Sequence, residues 1–143
     1  MIDQDAVIRR LVADEGKVRH AYQDHMSYWT IGVGRLIDER RGGGLSDDEI
    51  MYLLRNDIAS KTAQLQRRFN WFDAVDSVRQ QALICMAFQL GVNGVANFKK
   101  MIAALKIRDY NTASIEALNS GWAKQTPARA ERMARILRTG EWE

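Results

Sequence analysis

Near the N-terminus, Val7, Ile8, Leu11 and Val12 recur at the spacing of one helix face. Asp3 stands in front of them as a natural N-cap and Gly16 behind them as a natural stop, so the pattern predicts a helix ending at Glu15. From Arg19 to Val33 the period shortens. Tyr22, Tyr28, Trp29, Thr30 and Ile31 lie in short runs parted by polar Asp24, His25 and Ser27, which predicts a hairpin. The stretch "DERRGGGLSDDE" reads as a loop. Ser46 with Glu49 then forms a capping box opening a helix with Ile50, Leu53, Leu54 and Ile58 on one face. Ser77 with Gln80 predicts a second box ahead of "VRQQALICMAFQLG". That segment is apolar nearly all round, hence a central buried helix, with Gly91 as its end. Two shorter helices are expected over Asn97 to Lys106 and Asp109 to Ser120, the latter stopped by Gly121. Thr126 and Pro127 read as N-cap and first residue of a last helix running to about Thr139. A small strand-bearing part thus sits between a first helix and a mostly helical remainder: the class is α+β, mainly helical.

At 143 residues the chain suits a single domain over 1–143, with a small lobe at about 15–60 and a helical lobe at about 61–143 joined by the N-terminal helix. With 46% hydrophobic and 27% charged residues it is expected to fold rather than stay disordered. The longest apolar run, Ala82 to Phe88, is too short to span a bilayer. Asp3, Asp5, Arg9 and Arg10 argue against a signal peptide or membrane anchor. The lone Cys85 excludes an internal disulfide, and its apolar setting predicts a buried small hydrophobe. His20 and His25 lack metal spacing, so no metal or other cofactor is expected. The net charge of +3 hides an asymmetry: residues 1–59 sum to −3 and residues 60–143 to +6. A basic C-terminal part fits a polyanion, whether nucleic acid, anionic membrane or acidic cell-wall polymer, and equally fits lysines and arginines that merely solubilise helices.

Most motif chemistries fail on inspection. Gly32 and Gly34 lack the third glycine of a dinucleotide fingerprint, and the glycines at 42–44 lack the Lys-Ser/Thr of a P-loop. No Gly-x-Ser-x-Gly is present. The carboxylates remain. Taken singly, Glu15 is an acid at a helix end and Asp24 a turn former. Together their settings differ in a useful way. Glu15 faces the negative end of a helix dipole and follows Leu11 by four residues, on what should be the core side, so its charged form is disfavoured. Asp24, among Ser27 and Thr30 in a polar turn, should stay ionised. Two acids driven apart in this way suit glycoside hydrolysis.

The stretch resembles the phage-type lysozymes of the T-even bacteriophage family, whose motif is a glutamate, eight residues, an aspartate, five residues and a threonine, followed by Thr-Ile-Gly-x-Gly. Glu15, Asp24 and Thr30 match it without insertion, and the likeness continues in "AFQLGVNGVANF", "WAKQTPARAER" and "RTGEW". The resemblance implies a lysozyme-like fold with a cleft between its lobes. The implied reaction is hydrolysis, with inversion, of the β-1,4 bond between N-acetylmuramic acid and N-acetylglucosamine in peptidoglycan. Glu15 would be the general acid, Asp24 would support the developing positive charge and direct water, and Thr30 would bind that water. Leu36, Phe88, Gln89, Met101 and Glu116 match positions lining the cleft; Trp122, with Gln125, Thr126 and Arg129, matches the segment before the last helix. For Phe88 and Trp122 core packing is the stronger claimant. The resemblance also implies an endolysin, held in the host cytoplasm until a separate holin-type protein releases it. A monomer is expected, with no nucleic acid as partner and anionic envelope polymers as a further attraction.

The chain departs from the family pattern in three places. Arg35 replaces a histidine, and an ion pair with Asp57 is expected in its stead. The connection from Ile37 to Leu45 is shorter, which predicts fewer strands. Met101, Glu116 and Gly121 replace residues that line or flank the cleft. Two rival readings stand beside hydrolysis: a lytic transglycosylase, against which Asp24 and Thr30 speak, and a non-catalytic binding module.

Overall fold

A computed structural model describes residues 1–142. The chain divides into two compact units, Met1–Tyr52 and Leu53–Glu143. The fold is mainly helical with one small sheet, as the pattern predicts.

In the first unit, helix α1 (Gln4–Glu15) starts where Asp3 accepts a hydrogen bond from the Ala6 N–H and ends at Gly16, whose φ is +79°. Strands β1 (Val18–Gln23), β2 (Trp29–Gly32) and β3 (Arg35–Leu36) form an antiparallel sheet in that order. Thr30 lies opposite Tyr22 on one side and Leu36 on the other. The third strand is short enough to escape a period-2 reading. Gly32 and Gly34, both at positive φ, make the tight turn that brings it back.

The unit's fully buried side chains, Thr30 and Asp38, are both polar. Polar bonds therefore organise it. Asp38 accepts from the backbone N–H of Trp29 and of Arg40, and pairs with the Arg40 guanidinium. The "RRGGG" run is the turn this requires: Glu39–Arg41 form one 3-10 turn, closed by Gly42 in the left-handed region. Gly43 comes so close to Leu36 that an added Cβ would lie 2.7 Å from its carbonyl oxygen.

Helix α2 (Asp47–Arg68) begins with the expected capping box: the Ser46 N–H donates to Glu49 and the Glu49 N–H to Ser46. In the second unit, α3 (Ser77–Ala96) is broken at Gly91, as predicted. It is capped by Asp76 rather than by a Ser77–Gln80 box, because Gln80 turns back to the Phe72 carbonyl. Then follow α4 (Lys99–Lys106), α5 (Tyr110–Leu118), the short α6 (Gly121–Gln125) and α7 (Pro127–Thr139). Helix α6 was not legible, since Gly121 reads as a stop; Ser120 caps it by accepting from the Ala123 N–H. Thr126 precedes α7, but its hydroxyl donates to the Trp122 carbonyl instead of capping.

The core consists of Leu65, Phe72, Leu83, Met86, Met101, Leu105 and Leu137 with their neighbours. Arg79 pins the last helix to α3. It donates to the carbonyls of Leu137 and Arg138 and lies 3.5 Å from the centre of the Tyr110 ring. Helix α3 is less buried than its composition predicts. Ala82, Leu83, Met86 and Ala87 face the core, while Cys85 and Phe88 are exposed on another face. Cys85 is thus not the buried small hydrophobe expected.

Candidate active site

Glu15, Asp24, Thr30 and Leu36 all line one hollow of about 250 Å³ in the first unit, together with Tyr22, His25, Tyr28 and Arg41. Each arrives by a different local device. The end of α1 places Glu15, and Gly34 makes room for it: a Cβ on Gly34 would lie 2.9 Å from Glu15 Oε2. The Glu15 carboxyl takes no hydrogen bond from the described residues. It is also exposed, as is Leu11 at 46%, and α1 buries no residue. The desolvation expected of Glu15 is therefore absent, because its helix has no core-facing side in the strand-bearing unit.

Asp24 sits in the turn between β1 and β2. Its Oδ1 accepts from the N–H groups of Met26 and Tyr28, both at 2.9 Å, and Ser27 takes a left-handed φ of +65° to allow it. These bonds, that of Tyr28 first, hold the Asp24 carboxyl below its ordinary range against partial burial, with help from His25 and Arg41. Asp24 is thus a carboxylate, as its polar setting predicts. Thr30 is 5% exposed and its hydroxyl donates to the Tyr28 carbonyl at 3.0 Å. With its proton so engaged, its oxygen is left to accept one from water.

The other predicted residues lie in the helical unit. Phe88, Gln89 and Trp122 border a hollow of about 580 Å³ that also holds Cys85 and Arg129. Gln89 Oε1 accepts from the Trp122 indole N–H at 3.0 Å. Trp122 is buried and packs edge-on against Phe98, so it belongs to the core as much as to the hollow. Met101 and Glu116 border a third depression, but Met101 is 1% exposed and offers almost no surface.

Within the first unit Arg35 has a partner other than the expected Asp57, which belongs to the second unit. Arg35 pairs with Glu49, which the capping box already holds at the start of α2. The Ser46 N–H and then Arg35 bring the Glu49 carboxyl down to about 2. Among the described residues no group of histidine, cysteine and acidic side chains has the arrangement to hold a metal. No helix among the described residues is long and apolar enough to cross a membrane.

Residues 12–138 match the phage lysozyme family. The chain belongs to that family. It is a lysozyme-type glycoside hydrolase, and peptidoglycan is its class of substrate. It is 28% identical to probable T4-type lysozyme 1 of Dictyostelium discoideum, over 89% of this chain and 90% of that one. It is 31% identical to the pre-baseplate central spike protein Gp5 of Enterobacteria phage T4, over 91% of this chain but 27% of the spike protein. An endolysin of Acyrthosiphon pisum secondary endosymbiont phage 1 is 28% identical over 77% of this chain and 72% of its own. Of the residues lining the hollow of the strand-bearing unit, Glu15, Asp24, Thr30 and Leu36 are legible in the sequence, while Arg41, Tyr28 and His25 carry no spacing signal.

Proposed function

We propose that the chain hydrolyses the β-1,4 bond between N-acetylmuramic acid and N-acetylglucosamine, with inversion at the anomeric carbon. The observation that carries this reading is the convergence of Glu15, Asp24 and Thr30 on one hollow. Glu15, free of protein hydrogen bonds, protonates the glycosidic oxygen as the leaving sugar departs. A glycan strand lying over it supplies the desolvation that the uncovered side chain lacks. Asp24 uses Oδ1 on the backbone and keeps Oδ2 for the developing oxocarbenium charge and the attacking water. Thr30 accepts a hydrogen bond from that water, and Leu36 flanks the reacting sugar. In the helical unit, Phe88, which is exposed, Gln89, which is fixed by Trp122, and Glu116 bind sugars of the glycan. Met101 acts there through packing.

The physiological task is host cell lysis by a monomer made in the host cytoplasm, without cofactor or nucleic acid, and released by a separate holin-type protein. Attraction of the basic C-terminal part to anionic envelope polymers assists it. The deciding experiment is mass and NMR analysis of fresh digestion products. Each cleavage should add one water and yield the α-anomer first. An anhydro sugar without water gain would establish a lytic transglycosylase, and binding without any product a non-catalytic module.

A further inference from the structure

The loop that closes the first unit carries two adjacent arginines with different fates. Arg40 is fully engaged: its Nε and Nη2 reach the two oxygens of Asp38 at 3.0 and 2.7 Å, and Nη2 also donates to the Ser27 carbonyl. Arg41 lines the hollow beside Glu15, Asp24 and Thr30. Its guanidinium stands 5.0 Å from the centre of the Tyr28 ring and has neither ion pair nor side-chain hydrogen bond among the described residues. The backbone leaves it little choice of position. The Arg41 N–H donates to the Asp38 carbonyl, Gly42 takes the left-handed conformation next to it, and Gly43 is pressed against the backbone of Leu36 and Asp38. The tight turn thus presents an unpaired, planar five-donor cation at a site whose other groups that can carry charge include two acids and His25.

A guanidinium so placed has one obvious complement, a carboxylate taken in two parallel hydrogen bonds. A neutral sugar offers none. On the reading of the site given above, the substrate does: muramic acid bears a lactyl arm that is itself a carboxylic acid or carries a peptide rich in carboxylates. We infer that Arg41 is a specificity-determining residue that binds a carboxylate on the lactyl arm of the sugar seated in this hollow. The face of Tyr28 orients the guanidinium, and Arg40 holds the turn without competing for the ligand.

The test measures kcat and KM on soluble peptidoglycan fragments and on the same fragments with their carboxylates converted to amides. Wild type, Arg41→Gln and Arg41→Lys are compared. For wild type, amidation should raise KM about tenfold, the size of one charge-assisted hydrogen-bonded contact at an exposed site. Arg41→Gln should show that raised KM on both substrates, and Arg41→Lys should recover part of the preference. Peptide-stripped glycan, with its lactyl carboxylates free, separates the two sources: retained preference places the contact on the lactyl group, lost preference on the peptide, and either supports the inference. Equal KM for wild type and Arg41→Gln on both substrates would overturn it. So would a loss confined to kcat, with KM and the carboxylate preference unchanged, which would mean that Arg41 acts only through Asp24. Absence of hydrolysis by wild type on every substrate would instead sink the underlying reading of the site.

Discussion

Gly34 and Gly32 offer a matched pair of substitutions that isolates the geometry of Glu15. Both glycines have positive φ, +62° and +69°, so alanine at either costs roughly 1–2 kcal/mol in the backbone. Only at Gly34 does the new methyl meet anything. It would lie 2.9 Å from Glu15 Oε2, 3.1 Å from Cδ and 3.2 Å from Cγ, whereas at Gly32 nothing lies within 4 Å. Glu15 is an exposed, flexible side chain, so the clash is relieved by swinging the carboxyl away rather than by unfolding. A displacement on the order of 1 Å at a reacting group costs about a hundredfold in rate. Gly34→Ala and Gly32→Ala should therefore lose similar stability in urea titrations, while kcat on cell-wall fragments falls at least about tenfold further for Gly34→Ala. Equal activity losses in the two variants would refute the claim that Gly34 exists to admit the Glu15 carboxyl.

Three other perturbations test the fold beneath the site. Leu83→Ala, at a core position 1% exposed, should lower the unfolding free energy by about 2–5 kcal/mol in chemical denaturation, and a loss well under that would mean the core is misassigned. Gly43→Ala places a Cβ against fixed backbone 2.7 Å away and should cost about 1–3 kcal/mol through steric overpacking, with activity falling as the turn carrying Arg41 shifts. Glu49 titrates at about 2 when folded against an ordinary value of 4.5, so its stabilising contribution is present above about pH 4.5 and lost as pH falls toward 2. Denaturation midpoints measured from pH 5 to 2 should fall less steeply for Glu49→Gln than for wild type; parallel profiles would show that the Ser46 and Arg35 bonds to this carboxylate contribute nothing.

Local signals made most of the fold legible. Asp3, Gly16, the Ser46–Glu49 box, Gly91 and Pro127 each mark a boundary through bonds within a few residues, and each does so in the structure. What failed was decided at longer range. Arg35 pairs with Glu49, fourteen residues on, whose carboxyl a cap already fixes. Cys85 and Phe88 are exposed because apolar composition says nothing about which face of a helix finds a partner. Asp76 displaced Ser77 as cap once Gln80 found the Phe72 carbonyl. At the candidate site the acids were legible through their spacing, yet Arg41 was not, since its meaning depends on Arg40 being consumed by Asp38.

Hydrolysis at this site requires Glu15 as the proton donor, and the direct test is the rate of lysis of permeabilised bacterial cells by Glu15→Gln. The amide keeps the size of the side chain and its fit over Gly34 but has no proton to give. General acids contribute about 10²–10⁴-fold, so the variant should fall at least about a hundredfold below wild type while unfolding at the same denaturant concentration. Retention of more than about a tenth of wild-type activity would contradict that assignment.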